Sequence, residues 1–146
     1  MAITSAICNS FKQEILEAEH NFTASTGNTF NLALYTSSAT LGASTTAYSS
    51  SNEITNTSGT AYSAKGKALT SVTPTLDSST AVCDFADVSW TSASFTANGC
   101  LIFNDSHSTD AAVCAIAFGG DKTVSSGTFT IQFPAAAATT AIIRIA

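Results

Sequence analysis

The stretch Thr128-Phe129-Thr130-Ile131-Gln132-Phe133 alternates hydroxyl or amide side chains with large apolar ones. Because successive side chains of a β-strand point to opposite faces, this alternation predicts a strand with one buried face. The preceding residues 118–122, Phe-Gly-Gly-Asp-Lys, predict a tight turn between two strands. The apolar run within residues 139–145 predicts a final strand, so this part of the chain is expected to serve as structure rather than as an active site.

Similar runs recur upstream, separated by clusters of Ser, Asn, Gly and Asp. Their mostly short connections favour antiparallel neighbours, because a parallel pair needs a crossover of about a dozen residues or more. Regular spacing of this kind is typical of a sandwich or a barrel, so we expect an all-β fold, an antiparallel β-sandwich with one N-terminal α-helix. The predicted strands cover residues 29–36, 62–72 with an interruption at Gly66, 81–90, 94–104, 111–119, 128–133 and 139–145, with a turn within 73–79. The residues predicted to fill the space between the sheets are Val82, Phe85, Val88, Trp90, Leu101, Phe103, Val113, Ile116, Phe118, Phe129, Ile131, Phe133 and Ile143.

The N-terminal segment has a different period. Ile3, Ile7, Phe11 and Ile15 recur every four residues, which is the spacing of one face of an α-helix. Polar residues occupy much of the other face. The sequence therefore predicts an amphipathic helix over residues 3–19, laid across one face or one open end of the sheets.

Residues 37–60 consist mainly of Ser, Thr, Ala, Asn and Gly, with Leu41, Tyr48 and Ile54 as isolated apolar anchors. A loop of this length is uncommon unless it binds something or wraps around a neighbour. We therefore interpret residues 37–60 as a long arm that contacts another protein.

Composition limits the classes of function. With 146 residues the chain is expected to form a single domain, 1–146, with a substantial core. Only 10% of its residues are charged, against roughly 25% in a typical soluble domain. Small neutral residues must cover the surface, and a neighbouring subunit can bury them at little cost in side-chain entropy, which predicts a homo-oligomer or a component of a larger lattice. The net charge of −5 and the dispersed Lys and Arg residues argue against nucleic acid as a partner.

No membrane partner and no secretory leader are expected. The first 20 residues lack a basic segment, and polar residues interrupt their apolar ones. No apolar run approaches the roughly 18 residues of a membrane span. Synthesis in a cytoplasm is the expectation that follows.

The four cysteines, Cys8, Cys83, Cys100 and Cys114, include no close pair of the C-x-x-C kind. Two disulfide bridges remain possible in principle, but buried reduced thiols are the favoured interpretation because three of the cysteines lie in apolar, strand-like runs. The spacing of a structural zinc site is absent. No metal and no cofactor are therefore expected.

The polar loop 104–110 offers the main candidate for chemistry. Its His107 is one of two histidines in the chain, and Asp105 and Asp110 could orient it as the base of a hydrolase or join it around a divalent cation. The spacing matches no calcium loop, and no nucleophile motif accompanies it. A solvated turn is the favoured interpretation, no catalytic residue is assigned, and we expect a protein that is not an enzyme.

Several strings are distinctive in combination, although none is a chemical signature: residues 1–6, 10–14, 20–22, 29–30 with 32–41, and 118–122 with 129–134. Together they resemble, almost end to end, a family of small virion proteins of tailed bacteriophages, including cyanophages. The resemblance implies a particle component at the capsid surface, a cement or decoration protein seated on the head lattice. It implies the major capsid protein as partner and a homotrimer around three-fold or quasi-three-fold axes. The family provides no catalytic residues to carry over.

Contacts with neighbours are expected from the predicted helix, the arm and the last strand. The candidate interface residues are Ile3, Ile7, Phe11, Leu41, Tyr48, Ile54 and Ile145. Two alternatives stay open. One is a tail-associated structural or host-recognition protein, such as a fibre or an adaptor, and the other is a hydrolase or lectin-like binder that uses the loop 104–110.

Overall fold

The computed structural model describes residues 1–146 and shows an all-β fold with one short helix. The strands form two antiparallel sheets in a sandwich-like arrangement, which confirms the predicted fold class. The elements in chain order are β1 (Ala6–Ile7), α1 (Asn9–Leu16), β2 (Phe30–Tyr35), β3 (Lys67–Ala68), β4 (Ser71–Asp77), β5 (Thr80–Phe85), β6 (Val88–Asn104), β7 (Ala111–Ile131) and β8 (Ile143–Ile145).

The larger sheet has five strands in the order β1-β7-β6-β2-β3. Its centre is buried on both faces: β2 is buried at all six positions, and so are residues 99–104 of β6 and 111–115 of β7. Strands covered on both faces read as continuous apolar runs rather than as alternating ones, and this is the pattern of these segments. Most of the core lies here.

The predicted tight turn at residues 118–122 is wrong, because β6 and β7 form one long hairpin that continues through it. Gly99 pairs with Ala117 and Ala97 pairs with Lys122, so residues 118–121 bulge out opposite Asn98 alone. Gly119 and Gly120 have φ values of 74° and 139°, a region that favours glycine. The glycines do mark irregular backbone, but pairing with β6 resumes beyond them, and the predicted strands 111–119 and 128–133 are one strand.

The smaller sheet has three strands in the order β4-β5-β8. The predicted turn within 73–79 is half wrong, since the chain reverses only at Ser78 and Ser79, and Pro74 lies inside β4. Proline is tolerated there because β4 is an edge strand and its register with β5 shifts between Val72 and Thr75. The predicted strand 81–90 is two strands, β5 and the start of β6.

The predicted helix over 3–19 is too long. Ile3 forms an isolated parallel bridge with Leu41, and β1 pairs with β7, so the apolar spacing before residue 8 serves strand contacts rather than a helix. Only α1 is helical, and its Phe11 is buried. This helix falls short of the length and apolar character needed to span a membrane.

Residues 36–66 contain no strand, which confirms the predicted long loop and extends it. The predicted strand 62–72, with its interruption at Gly66, is right only in its second part, where β3 and the start of β4 lie; residues 62–66 belong to the loop, and Tyr62 is buried there. Gly66 has a φ of 67°, and a Cβ atom there would lie 1.8 Å from the carbonyl oxygen of Leu32. Only glycine allows the loop to approach β2 this closely.

The two sheets meet through aromatic side chains, with the rings of Phe30 on β2 and Phe85 on β5 6.0 Å apart. The predicted core residues that are buried are Val82, Phe85, Val88, Trp90, Leu101, Phe103, Val113 and Ile143. Those that are only half-buried, at the periphery, are Ile116, Phe118, Phe129, Ile131 and Phe133.

Candidate functional site

The turn between β6 and β7 brings Asp105 and Asp110 to Lys65, not to His107. The Lys65 ammonium lies 2.8 Å from Oδ1 of Asp105 and 2.9 Å from Oδ2 of Asp110. These two bonds raise the pKa of Lys65 above its ordinary value. The carboxylates that the sequence offered as partners of His107 are therefore engaged in holding the long loop to the hairpin.

His107 makes a different set of contacts. The hydroxyl and the backbone N–H of Thr109 lie 3.0 and 3.3 Å from its Nδ1, and its Nε2 lies 3.4 Å from Oε2 of Glu19. The Thr109 hydroxyl, the His107 imidazole and the Glu19 carboxylate thus lie in a row. The Thr109 contacts, however, join residues only two positions apart and are those of an ordinary turn. No group of three His, Cys, Asp or Glu side chains is placed to hold a metal ion, so the divalent-cation interpretation of this loop is wrong.

His20 is buried, and its tautomer follows from its neighbours. Oδ1 of Asn104 accepts a hydrogen bond from the Ser106 N–H at 3.0 Å, and Nδ2 donates to the Glu19 carbonyl at 3.2 Å, which fixes the orientation of the amide. The same Nδ2 lies 3.1 Å from Nδ1 of His20, so that nitrogen is the acceptor. The Nε2–H then donates to Oε2 of Glu14 at 2.8 Å. His20 links α1 to the end of β6.

Glu53 is the centre of a third polar cluster. Its carboxylate accepts hydrogen bonds from the hydroxyls of Tyr62 and Tyr48 at 2.7 and 2.6 Å, and from the Lys65 N–H at 2.7 Å. The Tyr62 hydroxyl accepts in turn from the Leu34 N–H at 2.9 Å. Burial first, and then the bond to Glu53, raises the pKa of Tyr48 to about 12, and burial raises that of Tyr62 further.

This cluster changes the interpretation of residues 37–60. Glu53 is the only charged residue in that stretch, and this isolation was the available sequence signal for a buried anchor. Its bonds join separate parts of the loop, and the Tyr62 hydroxyl and the Ile54 N–H connect the loop to Leu34 of β2 in the same chain. The segment packs on its own domain and is not a free arm.

The candidate interface residues divide by burial. Ile3, Phe11 and Ile54 belong to the chain's own core, and Ile7, Leu41 and Tyr48 are half-buried against it. Ile145 alone presents most of its side chain, 58% exposed. Ile3 and Phe11 of the predicted helix face therefore pack into this chain's own core.

Ile145 borders an apolar groove that sequence reasoning missed. The groove has a volume of about 410 Å³ and lies between the segment that follows α1 and the smaller sheet. Its lining residues are Ile15, Ala18, His20, Asn21, Phe22, Thr23, Pro74, Ala81, Val82, Cys83, Ile143 and Ile145. None of them carries a permanent charge.

All four cysteines are free, as expected. Cys8, Cys100 and Cys114 are buried, whereas Cys83 is half-buried in the groove wall. Burial raises the pKa of Cys8 and Cys83 to about 11 and that of Cys114 to about 12, and it raises the pKa of Cys100 well above its ordinary value. A thiolate is the reactive form, so these thiols are poor nucleophiles near neutral pH.

Comparisons with known proteins found no matching family model, no matching curated protein and no matching solved structure. The resemblance to small phage virion proteins stays a prediction. Within the molecule, the polar clusters around Lys65, Glu53 and His20 are satisfied by partners from the chain itself. The groove beside the smaller sheet is an apolar recess that remains open to another molecule.

Proposed function

We propose that this chain is a structural protein of a bacteriophage virion, a capsid cement or decoration protein that binds the assembled head lattice and stabilises it. The observation that carries the proposal is the scarcity of charge, 10% of residues, on a surface built largely from strands. Such a surface is suited to being covered by other protein, because little charge has to be desolvated. The resemblance along almost the whole sequence supports the same assignment.

The state of the polar groups supports a role without catalysis. A catalytic acid or base must reach a proton on its substrate. Here Asp105 and Asp110 bind Lys65, and Glu53 accepts bonds from two tyrosines. These groups hold segments of the chain together, which is the work of a scaffold, and the proposed activity needs no cofactor.

The proposed mechanism is mass action. A protein that binds only the assembled lattice stabilises that state by RT ln(1 + [L]/Kd), about 2.7 kcal/mol per site at about 100 times Kd. In a homotrimer, three linked contacts with the major capsid protein strengthen one another through effective concentration. Neither nucleic acid nor membrane takes part.

Copy number tests the proposal. Quantitative mass spectrometry of purified particles is expected to find hundreds of copies, as a head lattice provides, whereas a tail component would give roughly three to twelve. A density map of the particle should then place the chain on the head shell. A location on the tail would replace the cement proposal with the tail-associated or host-recognition alternative.

The loop 104–110 allows a separate test of the hydrolase or lectin-like alternative. A double variant, Asp105→Ala with His107→Ala, is expected to bind heads as the wild type does. The matched control is Lys65→Ala, which disturbs the same ion-pair cluster without touching the imidazole. Loss of an activity or of glycan binding in the double variant alone would support the alternative.

A further inference from the structure

The smaller sheet separates its charges from its exposed apolar residues. Residues paired across antiparallel strands share a face, and neighbours along a strand alternate. Val72 pairs with Asp84, Asp77 with Thr80, and Arg144 with Val82, which places the three charged side chains of the sheet on one face. The opposite face carries no charge.

On the uncharged face, Leu76 pairs with Ala81, which pairs in turn with Ile145. These residues form one row across all three strands, which we call the ridge. Leu76 is 72% exposed and Ile145 is 58% exposed, two of the few large apolar side chains that this chain leaves in solvent. The ridge extends the apolar face of the sheet to the solvent-exposed edge, where no other part of the chain packs on it.

The ridge borders the groove on the same face: Ala81 and Ile145 also line the groove, and Leu76 lies outside it. The next row of the sheet, Cys83 with Ile143, forms part of its wall, together with Ile15 and Phe22 from the N-terminal segment. Farther in, Phe85 and Ile143 join the main core. Each molecule therefore offers an apolar projection and, next to it, an apolar recess.

We propose that the ridge and the groove together form a self-association surface, in which Leu76 and Ile145 of one molecule enter the groove of a second copy of this chain. This inference rests on the homo-oligomeric part of the proposed function. A surface that bears both a projection and its recess can be satisfied by an identical molecule. Charge favours the same occupant, because two chains of net charge −5 approach best through a face without charge.

The open edges of the smaller sheet are compatible with this contact. β4 and β8 are its outer strands, and residues 71–76 of β4 carry none of the charged side chains that commonly block an edge. Pro74 removes only one backbone donor from that edge. The contact can therefore extend from the side chains of the ridge to the backbone of the edge strands.

The test is the oligomeric state of the isolated, full-length protein, measured by light scattering and sedimentation over a range of concentrations. The double variant Leu76→Ser with Ile145→Ser is expected to raise the dissociation constant at least about tenfold, as for truncation of central apolar contacts. Val72→Ser is the matched control, because Val72 lies on the opposite face of the same strand and is 44% exposed. The control should associate as the wild type does, and circular dichroism should show that all the variants are folded.

Cys83 provides a second readout that does not depend on a substitution in the ridge. It is the one cysteine that is not fully buried, so its alkylation by a neutral reagent should slow as the protein concentration rises and the groove is filled. The Cys83→Ala variant measures the background labelling of the other thiols. A labelling rate independent of concentration in an associated sample would overturn the inference.

The outcomes separate this inference from the proposed function. A protein that stays monomeric at every concentration and still binds heads overturns the self-association surface and leaves the cement role intact. An oligomer that is unaffected by the ridge variant also overturns it. If the wild type associates through the ridge but never binds a head, the inference stands and the cement proposal fails.

Discussion

The centre of the larger sheet and the edge of the smaller one differ in composition, in position and in exposure. β2 is buried at all six of its positions, whereas β4 is exposed at six of seven. Composition agrees with this difference: β2 is Phe-Asn-Leu-Ala-Leu-Tyr, whereas β4 is Ser-Val-Thr-Pro-Thr-Leu-Asp. Position agrees with it too, since β2 lies between two strands and under the long loop, and β4 lies at an edge. Stability is therefore expected to reside in the larger sheet and binding in the smaller one.

The largest effect that can sharpen this contrast is alkaline unfolding. Cys100, Cys114 and Tyr35, all in the larger sheet, have a pKa raised mainly by burial. A raised pKa in the folded state means that the group stabilises the fold fully below its unfolded pKa and loses that contribution as pH rises through the folded value. For Cys114, the loss runs from the ordinary 9.0 to about 12. Each pKa unit is worth about 1.4 kcal/mol, so the sum should be large.

The expected result is one cooperative unfolding transition above pH 9. Far-UV circular dichroism and tyrosine absorbance, recorded on the same sample, measure it. Tyrosinate should appear with unfolding and not in a separate step near pH 10, because Tyr35 and Tyr62 are buried. Burial raises the pKa of Cys83, in the smaller sheet, only to about 11, so Cys83→Ser should shift the transition less than Cys114→Ser, which removes a thiol whose pKa is raised to about 12. Independent titration of the tyrosines in a folded protein would contradict the assignment of stability to the larger sheet.

A matched pair of leucines tests the same contrast at neutral pH. Leu101 is fully buried in β6, the central strand of the larger sheet, so Leu101→Ala should lower the free energy of unfolding by about 2–5 kcal/mol. Leu76 is 72% exposed, and Leu76→Ala should cost less than about 0.5 kcal/mol in the dissociated protein. Urea denaturation at low protein concentration measures both. Equal losses would show that truncating a leucine destabilises both sheets to the same extent. The expectation that stability resides in the larger sheet would then be wrong.

Much of the fold could be predicted from the sequence because its main signal is local. Period-two alternation and continuous apolar runs identified the all-β class and most strand positions. The errors occurred where a local signal has two structural meanings. The glycines at 119 and 120 mark a bulge as readily as a turn, and only the pairing of Lys122 with Ala97 decides between them. The spacing of Ile3 and Ile7 suits a helix, yet contacts with distant strands override it.

The candidate site was less predictable, because it depends on which strands become neighbours. Leu76 falls within the predicted turn 73–79, and its row with Ala81 and Ile145 is known only from the strand pairing. Asp105 and Asp110 flank His107 in sequence, yet their partner Lys65 lies about forty residues upstream of Asp105. Ile145 could be proposed as an interface residue from its place in the last strand. Its exposure could not be predicted without knowing that β8 is an edge.

A smaller effect on stability is expected from the Glu53 cluster, which holds the long loop against the larger sheet. Glu53→Ala leaves the hydroxyls of Tyr48 and Tyr62 and the Lys65 N–H without their shared acceptor. Unpaired buried donors cost about 1–3 kcal/mol, so the free energy of unfolding should fall by about that amount. Hydrogen exchange should rise in residues 47–65 before it rises in β2. Glu17→Ala is the control, because Glu17 is exposed and its side chain bonds only to Gln13.

The smallest expected effect comes from Lys65, whose ammonium lies at the surface end of the same loop. Lys65→Met keeps an apolar stem near the rings of Tyr48 and Phe103 but removes the bonds to Asp105 and Asp110. Because the side chain is 40% exposed, the loss should be only about 0.5–1 kcal/mol.

Thermal unfolding at two salt concentrations measures this loss. The difference between Lys65→Met and the wild type should shrink as ionic strength rises, since salt screens exposed charges. Lys122→Met, which removes an exposed lysine on the distal half of the hairpin, should show no such difference. If Lys65→Met proves as damaging as Glu53→Ala, the surface ion pairs of Lys65 and the half-buried carboxylate of Glu53 hold the loop equally. The packing of the long loop on the larger sheet would then depend on the Lys65 ion pairs at the surface as much as on the hydrogen bonds of Glu53.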